Sequence, residues 1–199
     1  MDVLLNPDKF FTEHREMSFR VPIAIVTVLA VISAILAYSV VQIVLEKVPP
    51  TQEALNAVLF LSVFTGISAF VGVFLSWIIS TAILYILSAI FRGKGKFTSL
   101  MKFSAFGFIP AIILSPINFY ISAELFRSPT VENLYAAVVL SGIAFAWQFV
   151  YLVFAVKNAR ELSVKKSAIV CAIPIVLGFA YSIHSMGTQL EILKMLAQA

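Results

Sequence analysis

Arg92-Gly93-Lys94-Gly95-Lys96-Phe97-Thr98-Ser99-Leu100-Met101-Lys102 carries four positive charges, no negative one and two glycines, and it separates two long apolar runs. The glycines permit backbone conformations that side chains forbid, so the chain can leave one membrane helix and enter the next within a few residues. Phe97, Leu100 and Met101 add an apolar edge suited to a headgroup layer. Alternating lysine and glycine also suggests a phosphate-binding loop of the nucleotide-binding kind. That loop needs four residues between its first glycine and a Gly-Lys-Ser/Thr ending, after a buried strand. Gly93-Lys94-Gly95-Lys96-Phe97 has a different spacing and follows a helix-length apolar run. A loop at a membrane surface is the expected role.

Composition supports that reading. Apolar residues make up 61% of the 199 and charged residues 12%, with a mean hydropathy of +1.00. Soluble domains are nearer half apolar and a quarter charged, so the chain reads as an all-α integral membrane protein. Its basic residues are confined to short segments between apolar runs, which makes anionic headgroups their expected partners rather than nucleic acid. The single cysteine, Cys171, allows neither an internal disulfide nor a cysteine-based metal cluster. His14 and His184 lie too far apart for a short metal-binding signature, and no cofactor is expected.

Five runs free of Asp, Glu, Lys and Arg follow one another at 21–45, 54–91, 103–123, 133–156 and 167–190. Each has at least the roughly 20 residues that cross a bilayer core. The second is long enough for two very short spans, and charge bias decides against splitting it. With five spans and the N-terminus inside, the cytoplasmic side holds three Lys or Arg in the first 20 residues, four in 92–102 and four in 157–166. The outer side holds only Lys47, Arg127 and Lys194. Splitting the run removes this asymmetry. The positive-inside rule therefore predicts spans of about 21–45, 60–91, 103–123, 133–156 and 167–190, in one domain over 21–199, with the C-terminus outside.

Residues 1–20 begin Asn6-Pro7-Asp8-Lys9-Phe10-Phe11. Asn6 suits an N-cap, Pro7 a first helical position, and Asp8 the positive end of a helix dipole. With Phe10, His14 and Met17 at helical spacing, the segment reads as a short cytoplasmic interfacial helix. Within the spans, Ser68, Gly72, Ser76 and Ser80 form a small-residue stripe expected to pack against another helix, as is Gly142 in the fourth span. Pro110 and Pro116 predict a kinked or locally unwound third span. Asn118, Glu124, Gln148 and His184 are candidates for a polar cavity, although interhelical hydrogen bonding and an interfacial histidine are the commoner uses of such residues. Tyr38, Tyr120, Tyr135 and Tyr151 read as interface anchors and Tyr85 as deeper. Pro50-Thr51-Gln52-Glu53-Ala54-Leu55 is echoed by Pro129-Thr130-Val131-Glu132-Asn133-Leu134. The echo fits either a duplicated two-helix unit or two independent helix starts.

Catalytic constellations find no support. No Asp follows Asp8, and the sequence has neither Gly-x-Ser-x-Gly nor His-Glu-x-x-His. The candidate functional surface is the basic one: Arg92, Lys94, Lys96, Phe97 and Lys102 in one segment, and Lys157, Arg160, Lys165 and Lys166 in the other.

With spans and loops in place, the chain resembles the Yip1 family of small five-span membrane proteins, in its short prokaryotic and especially archaeal form. The resemblance rests on Asn6-Pro7-Asp8-Lys9-Phe10-Phe11 and on Phe91-Arg92-Gly93-Lys94-Gly95-Lys96-Phe97, continued by Leu100 and Pro110. The fourth span with Trp147, and the basic segment from Lys157 to Lys166 before a final span, also fit. It implies a non-enzymatic protein of interaction or membrane-organising type in a prokaryotic cell membrane, partnered by lipids, by other membrane proteins or by copies of itself. Eukaryotic members resemble adaptors for prenylated small GTPases, with a long N-terminal region bearing an Asp-Leu-Tyr-Gly-Pro type motif. This chain has no such motif, so that role does not carry over. The alternative is a small-solute or ion transporter using the polar groups of the last three spans.

Overall fold

A chain this apolar must satisfy its backbone polar groups within itself when it lies in hydrocarbon, and helices do so segment by segment. The computed structural model describes residues 2–45, 52–128 and 130–198, and these are helical throughout apart from short turns. Two short helices, α1 (Asp2–Leu5) and α2 (Pro7–Glu13), precede α3 (Arg20–Leu45), α4 (Gln52–Ile90) and α5 (Phe97–Ser104). A 3-10 turn, Ala105–Phe108, leads into α6 (Ile109–Arg127), followed by α7 (Val131–Arg160) and α8 (Val164–Gln198). Five segments are long and apolar enough to cross a membrane: Arg20–Ile43, Leu55–Ile90, Phe97–Arg127, Val131–Arg160 and Val164–Thr188. The protein is a five-helix membrane bundle, as expected. Lys47, Pro50 and Pro129 lie outside the described residues.

The third segment begins earlier than its charge pattern suggests. Phe97–Ser104 is already helical, with Leu100, Phe103 and Ser104 buried and Lys102 in the last turn. Leu100 is fully buried, so it faces the core rather than a headgroup layer. The expected irregularity near Pro110 takes the form of the 3-10 turn ahead of it. Pro116 sits inside α6 and has no N–H for the carbonyl one turn back. The Ser115 hydroxyl donates to that carbonyl, on Ile112, at 2.7 Å.

The first half of the small-residue stripe of α4, Ser68 and Gly72, points away from its neighbours, whereas Ser76 and Ser80 border a cavity among the membrane helices. A Cβ added at Gly72 would meet nothing within 4 Å, and Ser68, Gly72 and Ser76 are exposed within this chain. The helix packs on a different face, where Ser62, Trp77, Thr81, Leu84 and Ser88 are buried. Gly66 brings α4 close to α3, with its Cβ position 3.3 Å from the Ala34 carbonyl oxygen. Gln42 of α3 donates to the Ser62 hydroxyl at 2.8 Å. Gly142 does pack, its Cβ position lying 3.6 Å from the Phe179 ring of α8. Tyr151 is 1% exposed in the core instead of at an interface. Thr130 caps α7 by accepting from the Asn133 amide at 3.2 Å, which accounts for its part of the Pro-Thr echo as a helix start.

Candidate functional site

The basic segments and the N-terminal helix gather at one end of the bundle. Asn6 caps α2 by accepting from the Lys9 amide at 3.1 Å. This fixes the helix so that Phe11 points inward, where it is fully buried and its ring centroid lies 4.8 Å from that of Phe103 and 5.6 Å from that of Phe106. The helix expected to lie on a membrane surface is instead docked on α5 and α7. Lys157 of α7 donates to both carboxylate oxygens of Asp8, at 2.7 and 2.6 Å, and Asn158 donates to one of them at 2.9 Å. Thr12 adds a hydrogen bond to the Asn158 side-chain oxygen at 3.0 Å. The hydrogen bond from Lys157 holds the Asp8 carboxyl below its ordinary pKa, outweighing partial burial, and Asn158 adds to the effect. Lys157, expected at a free surface, is thus committed to an ion pair.

Arg160 departs further from expectation. It is 2% exposed, donates to the Ser88 hydroxyl at 2.8 Å and to the Gly93 carbonyl at 2.5 Å, and lies over the Tyr85 ring, 4.1 Å from its centroid. Its own carbonyl accepts from the Lys94 amide at 3.0 Å. Arg160 therefore ties the α4–α5 connection to the end of α7. Burying a guanidinium is tolerable only with its donors engaged, and a planar fork over an aromatic face does this well.

The two glycines serve space rather than dihedral freedom. No glycine among the described residues has positive φ; Arg92 (φ 63°) and Glu161 (φ 55°) do. Arg92 ends α4 in a left-handed cap, its amide bonding the Ala89 carbonyl and the Gly93 amide bonding that of Ser88. Gly95 lies so close to α7 that a Cβ would sit 1.7 Å from the Ala159 carbonyl oxygen.

With Lys157 and Arg160 committed, six other cations of this end fall into two sets. Lys165 and Lys166 are exposed at the start of α8. Lys94, Lys96 and Lys102 line one cleft of about 580 Å³ together with Arg15. None of these four has an ion-pair partner among the described residues. Lys102 lies over the Phe19 ring, 5.1 Å from its centroid. Phe97 packs edge-on against Tyr85 at 5.5 Å. Arg92 is exposed and does not line the cleft.

Of the expected polar cavity, half converges. Asn118 of α6 and Gln148 of α7 line both a cavity of about 190 Å³ and a larger one of about 560 Å³ among the membrane helices. Ser80 and Ser115 also line the larger one. Glu124 instead pairs with Arg127 at 3.6 Å, and His184 is exposed on α8 and lines neither cavity. The sequence pattern carried no sign of Thr12, Asn158 or Ser88, and it marked Phe11 only as part of the N-terminal helix and Tyr85 only as a deeper tyrosine. The Phe10-Phe11 pair beside a helix start was the one available sign of docking.

Five membrane-length helices with a charged, tightly tied end define a multi-pass integral membrane protein. The Yip1 domain matches residues 1–186, and the chain belongs to the Yip1 family. It is similar to an uncharacterized protein of Methanocaldococcus jannaschii, 32% identical over 126 residues, which covers 60% of this chain and 88% of that relative. No solved structure matches it.

Proposed function

We propose that this Yip1-family protein is a non-enzymatic organiser of a prokaryotic cell membrane. In this reading its basic end is cytoplasmic, its C-terminus lies outside, and the basic end engages anionic headgroups or an acidic partner. The observation that carries the reading is the division of labour among the cations. Lys157 and Arg160 are used up in holding the bundle together, whereas Lys94, Lys96 and Lys102 stand together without carboxylate partners among the described residues. Unpaired cations beside a bilayer are attracted to anionic lipid by about 1 kcal/mol each. Changing all three lysines to Gln is expected to weaken binding of the reconstituted protein's basic end to anionic vesicles or an acidic partner by roughly 3 kcal/mol at most, with strong salt dependence.

The cavity that brings Asn118 and Gln148 together favours a second reading, a solute path. It makes the opposite forecast: the lysine changes leave function intact, while Gln148→Leu abolishes solute flux into liposomes. Flux of that kind would overturn the organiser reading.

A further inference from the structure

The cleft at the basic end has more definition than a charged surface needs. Its cations come from three separate pieces of chain: Arg15 after α2, Lys94 and Lys96 from the glycine loop, and Lys102 from α5. Each piece is anchored by buried or paired side chains. Phe11 and Asp8 anchor the first, Arg160 and the close approach of Gly95 anchor the second, and buried Leu100 and Phe103 anchor the third. Thr98 and Ser99, in the first turn of α5, line the same cleft with hydroxyl donors, and no side chain caps that turn. Two acids, Glu16 and Glu161, also line it. Four cations against two carboxylates leave a net charge near +2 in a space of about 580 Å³.

We infer that this cleft is a discrete binding site for a single terminal phosphate group, a phosphomonoester or inorganic phosphate. Near neutral pH such a group carries about −1.5 to −2 charges and three strong acceptor oxygens, which matches the cleft's surplus and its mixture of ammonium, guanidinium and hydroxyl donors. A phosphodiester carries a single charge and leaves half of that surplus unmatched. Extended polyanions meet Glu16 and Glu161 on the wall. The group can come from a lipid headgroup lying in the adjacent leaflet or from a soluble phosphate. The inference rests on the proposed cytoplasmic, headgroup-facing placement of this end only for the first of these sources.

The test uses the full chain in phosphatidylcholine nanodiscs. One arm titrates inorganic phosphate; the other incorporates phosphatidic acid, with phosphatidylglycerol at matched surface charge as the comparison. Two variants remove the same charge from different places: Lys94→Gln with Lys96→Gln inside the cleft, and Lys165→Gln with Lys166→Gln outside it. All four side chains are exposed, so both variants keep the fold. The cleft site is supported if phosphatidic acid is preferred over phosphatidylglycerol and the first variant loses roughly thirtyfold in affinity while the second loses little. Binding in the phosphatidic acid arm alone assigns the site to lipid, and binding of inorganic phosphate assigns it to a soluble ligand. Equal losses in both variants, with no preference between the two lipids, overturn the site but leave the membrane-organising reading standing. Failure of the wild-type protein to bind any of these anions overturns both.

Discussion

Asp8 and Lys157 are 149 residues apart in the chain and meet at 2.6 Å, clasping the N-terminal helix to the end of the fourth membrane segment. The pair is about a third exposed, at 35% and 29%, so solvent screens it and its contribution is modest.

Breaking the clasp is expected to loosen α2 without unfolding the bundle. Asp8→Asn removes the charge and should speed tryptic cleavage at Lys9 and Arg15 several-fold while leaving the melting temperature in detergent nearly unchanged. The effect should also depend on pH. The folded-state pKa of Asp8 is depressed, so the clasp is fully present above the ordinary carboxylate pKa and is lost as pH falls through the folded value. Cleavage by an acid-active protease should therefore rise on acidification in the wild type, and much less in Asp8→Asn. Identical protection of the two proteins at neutral pH would discard the idea.

Arg160 is expected to be among the most sensitive positions in the protein. Arg160→Met leaves the Ser88 hydroxyl and the Gly93 carbonyl without their donor and should cost about 3 kcal/mol. Arg160→Lys should recover little, because one ammonium cannot make both hydrogen bonds and lie flat over Tyr85. Thermal unfolding of the two variants in mild detergent decides the matter; a wild-type melting temperature for Arg160→Lys would show that charge alone suffices.

Gly95 and Gly72 should respond in opposite ways. Gly95→Ala drives a methyl group into the Ala159 carbonyl, and backbone must shift to admit it, so loss of folded protein is expected. Gly72→Ala meets open space within this chain and should stabilise the helix by about 0.5–1 kcal/mol. A destabilised Gly72→Ala would point to a neighbour that the single chain does not contain.

Glu161→Gly should raise stability by about 1 kcal/mol, because a left-handed residue without a Cβ avoids the clash that Glu161 accepts at φ 55°. Equilibrium unfolding in a denaturing detergent gradient provides the measurement, and no gain would mean that the Glu161 side chain compensates.

Orientation is open to thiol labelling in a Cys171→Ser background. Cysteines at Lys96 and Lys166, both exposed, should be shielded from an impermeant reagent in intact cells, and one at Ser128 should react. Position 160 is useless for this purpose, since Arg160 is buried from either side. Reaction at position 96 from outside would reverse the proposed topology.

The five spans were legible because a membrane segment announces itself by length and by absence of charge, and both are properties of the sequence alone. The packing face of α4 was not. Ser62 and Gly66 on one face and Ser68 and Gly72 on another are chemically alike, and in lipid the outward residues are as apolar as the inward ones, so no contrast marks the buried side. The same limit hid the fates of Lys157 and Arg160. A positive charge near a span end has one sequence signature whether it meets headgroups, a carboxylate far away in the chain, or an aromatic ring. Asn118 and Gln148 could be singled out as polar residues within spans, but whether they face one another depends on helix rotation, which composition does not encode.

Trp77 is 3% exposed, and its indole N–H reaches the Met101 carbonyl and the Ser104 hydroxyl, both at 3.1 Å. The chain has one other tryptophan, Trp147. A Trp147→Phe protein therefore carries a single tryptophan, lodged at the seam between α4 and α5, which can be excited selectively over the six tyrosines. Its emission should stay blue while that seam is shut and shift red when the first turns of the third membrane segment come away. The arrival of that segment during insertion can then be timed optically, separately from the overall gain of helix.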